Sequence, residues 1–70
     1  MNVAKTMKEL VEGKGITYTF ISSKTGISVD AISKSFHGKR RLTADELVAI
    51  CKYTNIDLND IMENEKNSAV

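Results

Sequence analysis

Residues 16–41 read "ITYTFISSKTGISVDAISKSFHGKRR", and the fold of the chain turns on how this stretch is punctuated. Ile16–Thr17 and Ile27–Ser28 are each an apolar residue followed by a hydroxyl, and each hydroxyl is followed four positions later by another isoleucine, Ile21 or Ile32. This is the spacing of a helix start. The Thr or Ser oxygen accepts one of the backbone N–H groups that the first helical turn leaves unpaired. The apolar residue before the cap reaches the one at the fourth helical position, forming a hydrophobic staple. Two helices are therefore expected, the first stopping at Gly26 and the second at Gly38. Only Gly26, Ile27 and the cap Ser28 separate them. A linker this short, with a glycine free to take positive φ, forces a sharp crossing. Ile21, Ile27 and Ile32 would form the wedge between the helices, with Ser22 small where they approach. That is helix-turn-helix geometry.

The same start signal recurs in "LTADEL" (42–47) and "IDLNDI" (56–61). "TADE" adds a full capping box, Thr43 with Glu46. Upstream, Val3, Met7, Leu10 and Val11 make an i, i+4, i+7, i+8 stripe that predicts an initial helix ending near "GKG" (13–15). The helix after Thr43 should end near Asn55, a residue that tolerates a left-handed cap. The expected fold is all-α: five short helices and no strand, in one domain over 1–62. The last and shortest helix runs from about Leu58 to Met62. The polar end "ENEKNSAV" (63–70) reads as a frayed tail.

Seventy residues suit a single small core, because a domain of this size buries only about 60% of its unfolded surface. One cysteine, Cys51, and one histidine, His37, leave no disulfide and no Cys/His set for a metal. They lie on different elements, no nucleophile–base pair is evident, and no GxxxxGK[ST] phosphate cradle is present. No enzymatic activity, cofactor or metal is expected. The longest apolar run, Leu47 to Cys51, is far too short to span a bilayer. The beginning of the chain has no apolar signal stretch, so a cytoplasmic location is expected. Charge is distributed unevenly. Residues 1–41 hold eight Lys/Arg against three Asp/Glu, net +5, and residues 42–70 hold two against six, net −4. Such asymmetry suits a polyanion on one side and another use for the second half.

Taken together, the Thr17, Ile21, Gly26, Ile27, Ser28, Ile32, Gly38 and Lys39 spacings resemble the Cro/phage-repressor family of helix-turn-helix proteins (XRE-type, lambda-repressor-like). That family's pattern runs T-x-x-x-L-A-x-x-x-G-[VI]-S-x-x-x-I-S-x-x-x-x-G-[KR], and the likeness extends over roughly residues 3 to 62. The resemblance implies a five-helix DNA-binding domain and a sequence-specific regulator of transcription. By that resemblance the chain is expected to be a repressor of phage, prophage or mobile-element genes, acting as a dimer on operator DNA. The implied partner is double-stranded DNA, read in the major groove, with no membrane involved. A homodimer, formed in solution or only on DNA, would offer Leu58, Ile61 and Met62 as its apolar patch; the same three would otherwise close the core.

By the same resemblance, Ser28, Val29, Asp30, Ser33 and Lys34 fall on the base-facing side of the second helix of the pair. Thr17 and Tyr18 fall where the family touches a phosphate. His37, Lys39, Arg40 and Arg41 fall in a loop that follows the sugar-phosphate backbone. Elementary chemistry supports several of these roles. Lys and Arg neutralise phosphates and release counterions, and Lys34 has donors for guanine or phosphate. Asp30 has two readings, a carboxylate favouring the positive end of its helix or an acceptor for cytosine N4. Val29 suits a thymine methyl or simple exposure. His37 suits a helix end or a phosphate, Cys51 a core stripe, and Tyr53 packing.

Four positions depart from the family pattern. Val11 and Phe36 stand where many members place an Arg–Glu pair, Ser35 stands at a usually apolar position, and Asp30 is acidic. An apolar pair in place of the ion pair avoids desolvating two charges, and Phe36 is expected to fill the space left by Ser35. The competing function class is a protein-interaction module on the same fold, such as an antitoxin, with the acidic second half as its partner surface and the partner unidentified.

Overall fold

The structure is a computed structural model that describes residues 3–57 and 59–62. These residues form five helices and no strand. They are α1 (Val3–Gly13), α2 (Tyr18–Thr25), α3 (Val29–Phe36), α4 (Ala44–Thr54) and a final helical turn α5 at 59–62. Leu58 and the tail 63–70 lie outside the described residues.

Each expected helix start is present. Thr17 Oγ1 accepts the Phe20 N–H at 3.1 Å, and Ser28 Oγ accepts the Ala31 N–H at 3.1 Å. Thr43 Oγ1 accepts the Glu46 N–H at 3.1 Å, while Glu46 Oε1 accepts the Thr43 N–H at 3.0 Å, completing the capping box. Asp57 Oδ1 accepts from the Asn59 N–H at 2.9 Å, and Asp60 Oδ2 accepts from the Asp57 N–H at 3.3 Å. A cap contributes about 1 kcal/mol, a substantial share of the stability of so small a domain.

The helix ends follow from left-handed residues. Gly26 takes φ 80° and donates its N–H to the Ser22 carbonyl at 2.9 Å, closing α2. Asn55 closes α4 at φ 57°. The helices α1, α3 and α4 share one closing pattern, in which an N–H beyond the left-handed residue reaches a carbonyl five positions back: Ile16 to Val11 at 3.1 Å, Lys39 to Lys34 at 2.8 Å and Ile56 to Cys51 at 3.2 Å. This is the Schellman motif, which satisfies carbonyls that the helix end leaves open.

Caps and closures bring the staples inward. The core is Met7, Val11, Ile21, Ile32, Phe36, Ile50, Ile56 and Ile61, with Ile16, Ile27, Leu42 and Leu47 among the residues packed against it. All eight staple residues are thus in the core or on it. Helix α2 packs on both α3 and α4, and α1 packs on α3. Val11 and Phe36, the apolar replacements for an ion pair, are both buried. Phe36 meets the Tyr18 ring edge-on, with centroids 5.3 Å apart.

Two residues assigned from sequence to a dimer patch separate here. Ile61 is 1% exposed and closes the core, whereas Met62 is 58% exposed. Ile61 is therefore a core residue, buried by the α5 staple with Ile56. Ser35 is fully buried, and its hydroxyl has a partner that the sequence did not suggest, Arg40.

Candidate nucleic-acid interface

Helix α3 buries Ile32, Ser35 and Phe36. The remaining face carries the five residues assigned to base reading. Ser28, Val29, Asp30 and Lys34 are exposed and Ser33 is half-buried. Ser28 uses its oxygen as a cap acceptor, which leaves the hydroxyl proton able to donate outward. Val29 is 42% exposed, enough side chain for an apolar contact at the start of the helix.

Asp30 and Lys34 form an i, i+4 ion pair with Nζ to Oδ2 at 3.1 Å. Both side chains are more than half exposed, so the pair contributes only about 0–1 kcal/mol and leaves Lys34 able to exchange partners. Asp30 thus does two things in the free protein: it stands in the first turn of α3, where the helix dipole favours a carboxylate, and it holds the ammonium of Lys34 on the outer face.

The start of α2 supplies Thr17 and Tyr18. Thr17 is exposed and caps the helix, and that first turn contains no acidic residue. Tyr18 is half-buried and turns back toward α1, donating its hydroxyl to Glu12 Oε2 at 3.2 Å. Burial, and then the Glu12 carboxylate, push the phenol above its ordinary pKa. Beyond them, Phe20 is 41% exposed and Lys24 Nζ sits 5.8 Å from its ring centre. Sequence reasoning did not single out this exposed pair. Its signal was the i, i+4 spacing of an aromatic and a cation on one helix face.

The loop after α3 supplies the cations. His37 Nδ1 lies 2.7 Å from the Ser33 carbonyl; a carbonyl only accepts, so Nδ1 carries the proton and closes the end of α3. Lys39 and Arg41 are exposed. Arg40, assigned with them to phosphate, instead turns inward. Its Nη1 donates to Ser35 Oγ at 3.0 Å and to Glu46 Oε1 at 3.0 Å, and its Nη2 donates to Glu46 Oε2 at 2.8 Å. This fork and the Thr43 N–H hold the Glu46 carboxyl down to about 2, and Glu46 in turn holds the Arg40 guanidinium above its ordinary pKa.

The geometry therefore brings together an outward polar face on α3 and two exposed cations in the following loop, while Arg40 and the Tyr18 hydroxyl are engaged within the protein. Cys51 is half-buried, and burial, followed by the charge of Asp57, raises its thiol pKa. No helix among the described residues is long and apolar enough to cross a membrane.

A comparison with curated proteins gave no match, and a comparison with solved structures gave none. A family model described as the Cro/C1-type HTH DNA-binding domain matches residues 6–67. The match covers nearly the whole chain, and it agrees with the capped helix pair and its polar outer face. The chain belongs to the Cro/C1-type helix-turn-helix DNA-binding domain family and is a DNA-binding transcriptional regulator.

Proposed function

We propose that the protein is a sequence-specific repressor of the Cro/phage-repressor kind, acting in the cytoplasm on operator DNA of a phage, prophage or mobile element. Helix α3 enters the major groove with Ser28, Val29, Asp30, Ser33 and Lys34 toward the bases. Thr17, Tyr18, His37, Lys39 and Arg41 follow the backbone. The observation that carries this reading is the position of α3's polar outer face beside the exposed Lys39 and Arg41. Phosphate contacts set position and affinity, and base contacts set preference. A single domain of this size covers little DNA, so two copies over half-sites about one helical turn apart supply the rest. Met62, exposed beside the buried Ile61, belongs to the surface offered to the second copy. Occupying a promoter is sufficient for repression.

The test is a salt titration with duplexes selected from a random pool. Two cations, Lys39 and Arg41, each neutralising one phosphate give a log–log slope near −1.8 per subunit, since each contributes roughly −0.9. Selected sequences should show two half-sites. A flat salt dependence, or no binding at low salt, refutes this reading and favours a protein-interaction module.

A further inference from the structure

We infer that Arg40 and Glu46 are positioning residues for DNA binding: their ion pair, braced on Ser35, holds the loop between α3 and α4 so that Lys39 and Arg41 face outward together. This inference rests on the DNA-binding reading of that loop and adds an internal brace to it.

The segment from Gly38 to Thr43 is held at four points. Gly38 takes φ 78°, and the Lys39 N–H donates to the Lys34 carbonyl at 2.8 Å. The Arg40 side chain is held by Ser35 and Glu46. Leu42 packs on the core, one residue before the Thr43 cap. Exposure alternates along it, with Lys39 out, Arg40 in, Arg41 out and Leu42 in. The two outward residues are the cations, and the inward cation between them is the one with a fork of carboxylate oxygens. Glu46 is suited to this because the capping box already fixes it at the start of α4. Ser35 accounts for the third bond. At a fully buried position, its hydroxyl offers an acceptor that an apolar side chain would not. The guanidinium thus ties the end of α3 to the start of α4 across the loop. A planar fork of fixed donors is what this geometry requires, and a lysine ammonium does not reproduce it.

The alternative is that Arg40 is itself a phosphate-binding arm for which Glu46 competes. The two ideas predict opposite signs. Glu46→Gln removes a negative charge near DNA while keeping a side chain that serves the capping box. If Glu46 positions the loop, Glu46→Gln weakens binding by about three- to tenfold, the cost of ordering long side chains that were previously held, and the salt slope is no steeper. If Glu46 competes, binding tightens and the slope steepens by about 0.9 as one phosphate contact is gained. Arg40→Lys provides a second arm. It keeps the charge but not the fork, so positioning predicts a loss similar to that of Glu46→Gln and little further loss in the double variant. Direct phosphate binding predicts near-normal affinity for Arg40→Lys. Binding is measured on the full chain at a temperature where thermal denaturation shows each variant folded, with backbone 15N relaxation of residues 37–43 in the free protein as an independent readout. Increased mobility there, together with weakened binding, supports the inference. Unchanged or tightened binding in Glu46→Gln overturns it while wild-type DNA binding stands. Absence of wild-type binding would instead fail the functional reading.

Discussion

Replacing Gly26 tests the turn on which the helix pair depends. Gly26 sits at φ 80°, ψ 0°, and a Cβ built there meets nothing within 4 Å. Substitution by L-alanine therefore introduces a backbone cost without a collision. Placing an L-residue in the left-handed region costs roughly 1–2 kcal/mol. Removing a glycine also stiffens the unfolded chain, which returns about 0.4–1 kcal/mol. The net loss is about 1 kcal/mol, a fall in Tm of about 4–8 °C for a domain of this size. D-alanine, accessible because a chain this short can be synthesised, prefers the left-handed region and keeps the entropic gain, so it should stabilise by about 0.4–1 kcal/mol. Urea unfolding followed by circular dichroism gives both values, with unchanged m-values showing that only stability moved. An L-alanine variant as stable as wild type would refute the left-handed turn. A loss above about 3 kcal/mol would refute the open space around it, because the backbone alone does not cost so much.

Ile61→Ala should cost about 2–5 kcal/mol, most of what a domain this small has, whereas Met62→Ala should stay within about 0.5 kcal/mol; thermal denaturation separates them, and sedimentation on DNA tests the proposed dimer, which Met62→Ala should weaken. Asp30→Asn should change stability by less than about 1 kcal/mol, since it removes only an exposed ion pair and one dipole contact, and should tighten DNA binding by freeing Lys34 and removing a carboxylate near phosphates. Loss of a cytosine preference at one position in that variant would instead assign Asp30 to base reading. Glu46 titrates at about 2 in the fold against an ordinary value of 4.5. Because the folded value is the lower one, its stabilising contribution is complete above about 4.5 and disappears as pH falls through about 2. A pH series of urea midpoints should show this loss, and Glu46→Gln should flatten it.

The elements that were legible in the sequence are those set by spacing along the chain. An N-cap and its staple occupy fixed positions on any helix, so Thr17, Ser28, Thr43 and Asp57 marked four helix starts without reference to tertiary structure. The left-handed ends at Gly26 and Asn55 follow from the few residues that tolerate that conformation. The outward residues of α3 came from the family resemblance, and helical periodicity around the inward Ile32 and Phe36 agrees with it. Less visible were contacts made across elements. The tie from Arg40 to Ser35 and Glu46 depends on how the loop crosses between two helices, and the three-cation run gave no sign that its middle member turned inward. Tyr18 faces Glu12 only because α1 and α2 meet there. The Asp30–Lys34 pair had a visible i, i+4 spacing, but two residues each read for DNA hid their mutual attraction. Ile61 could close the core or face a twin until the placement of α5 decided it.

Ile16, Ile27 and Ile56 each stand at the junction of two helices, immediately after a left-handed residue and immediately before a cap. One residue finishes the preceding helix and begins the next, so these three junctions have no slack. Adding or deleting a residue at any of them would break a closure and a staple at once and shift the register of everything beyond. The junction between α3 and α4 is different, because closure ends at Lys39 and the next staple begins at Leu42. A change of length in this loop, the same segment that carries Lys39 and Arg41, would therefore leave every closure and staple intact. In such a scaffold, the grip on the backbone can change while the angle at which α3 is presented stays constant.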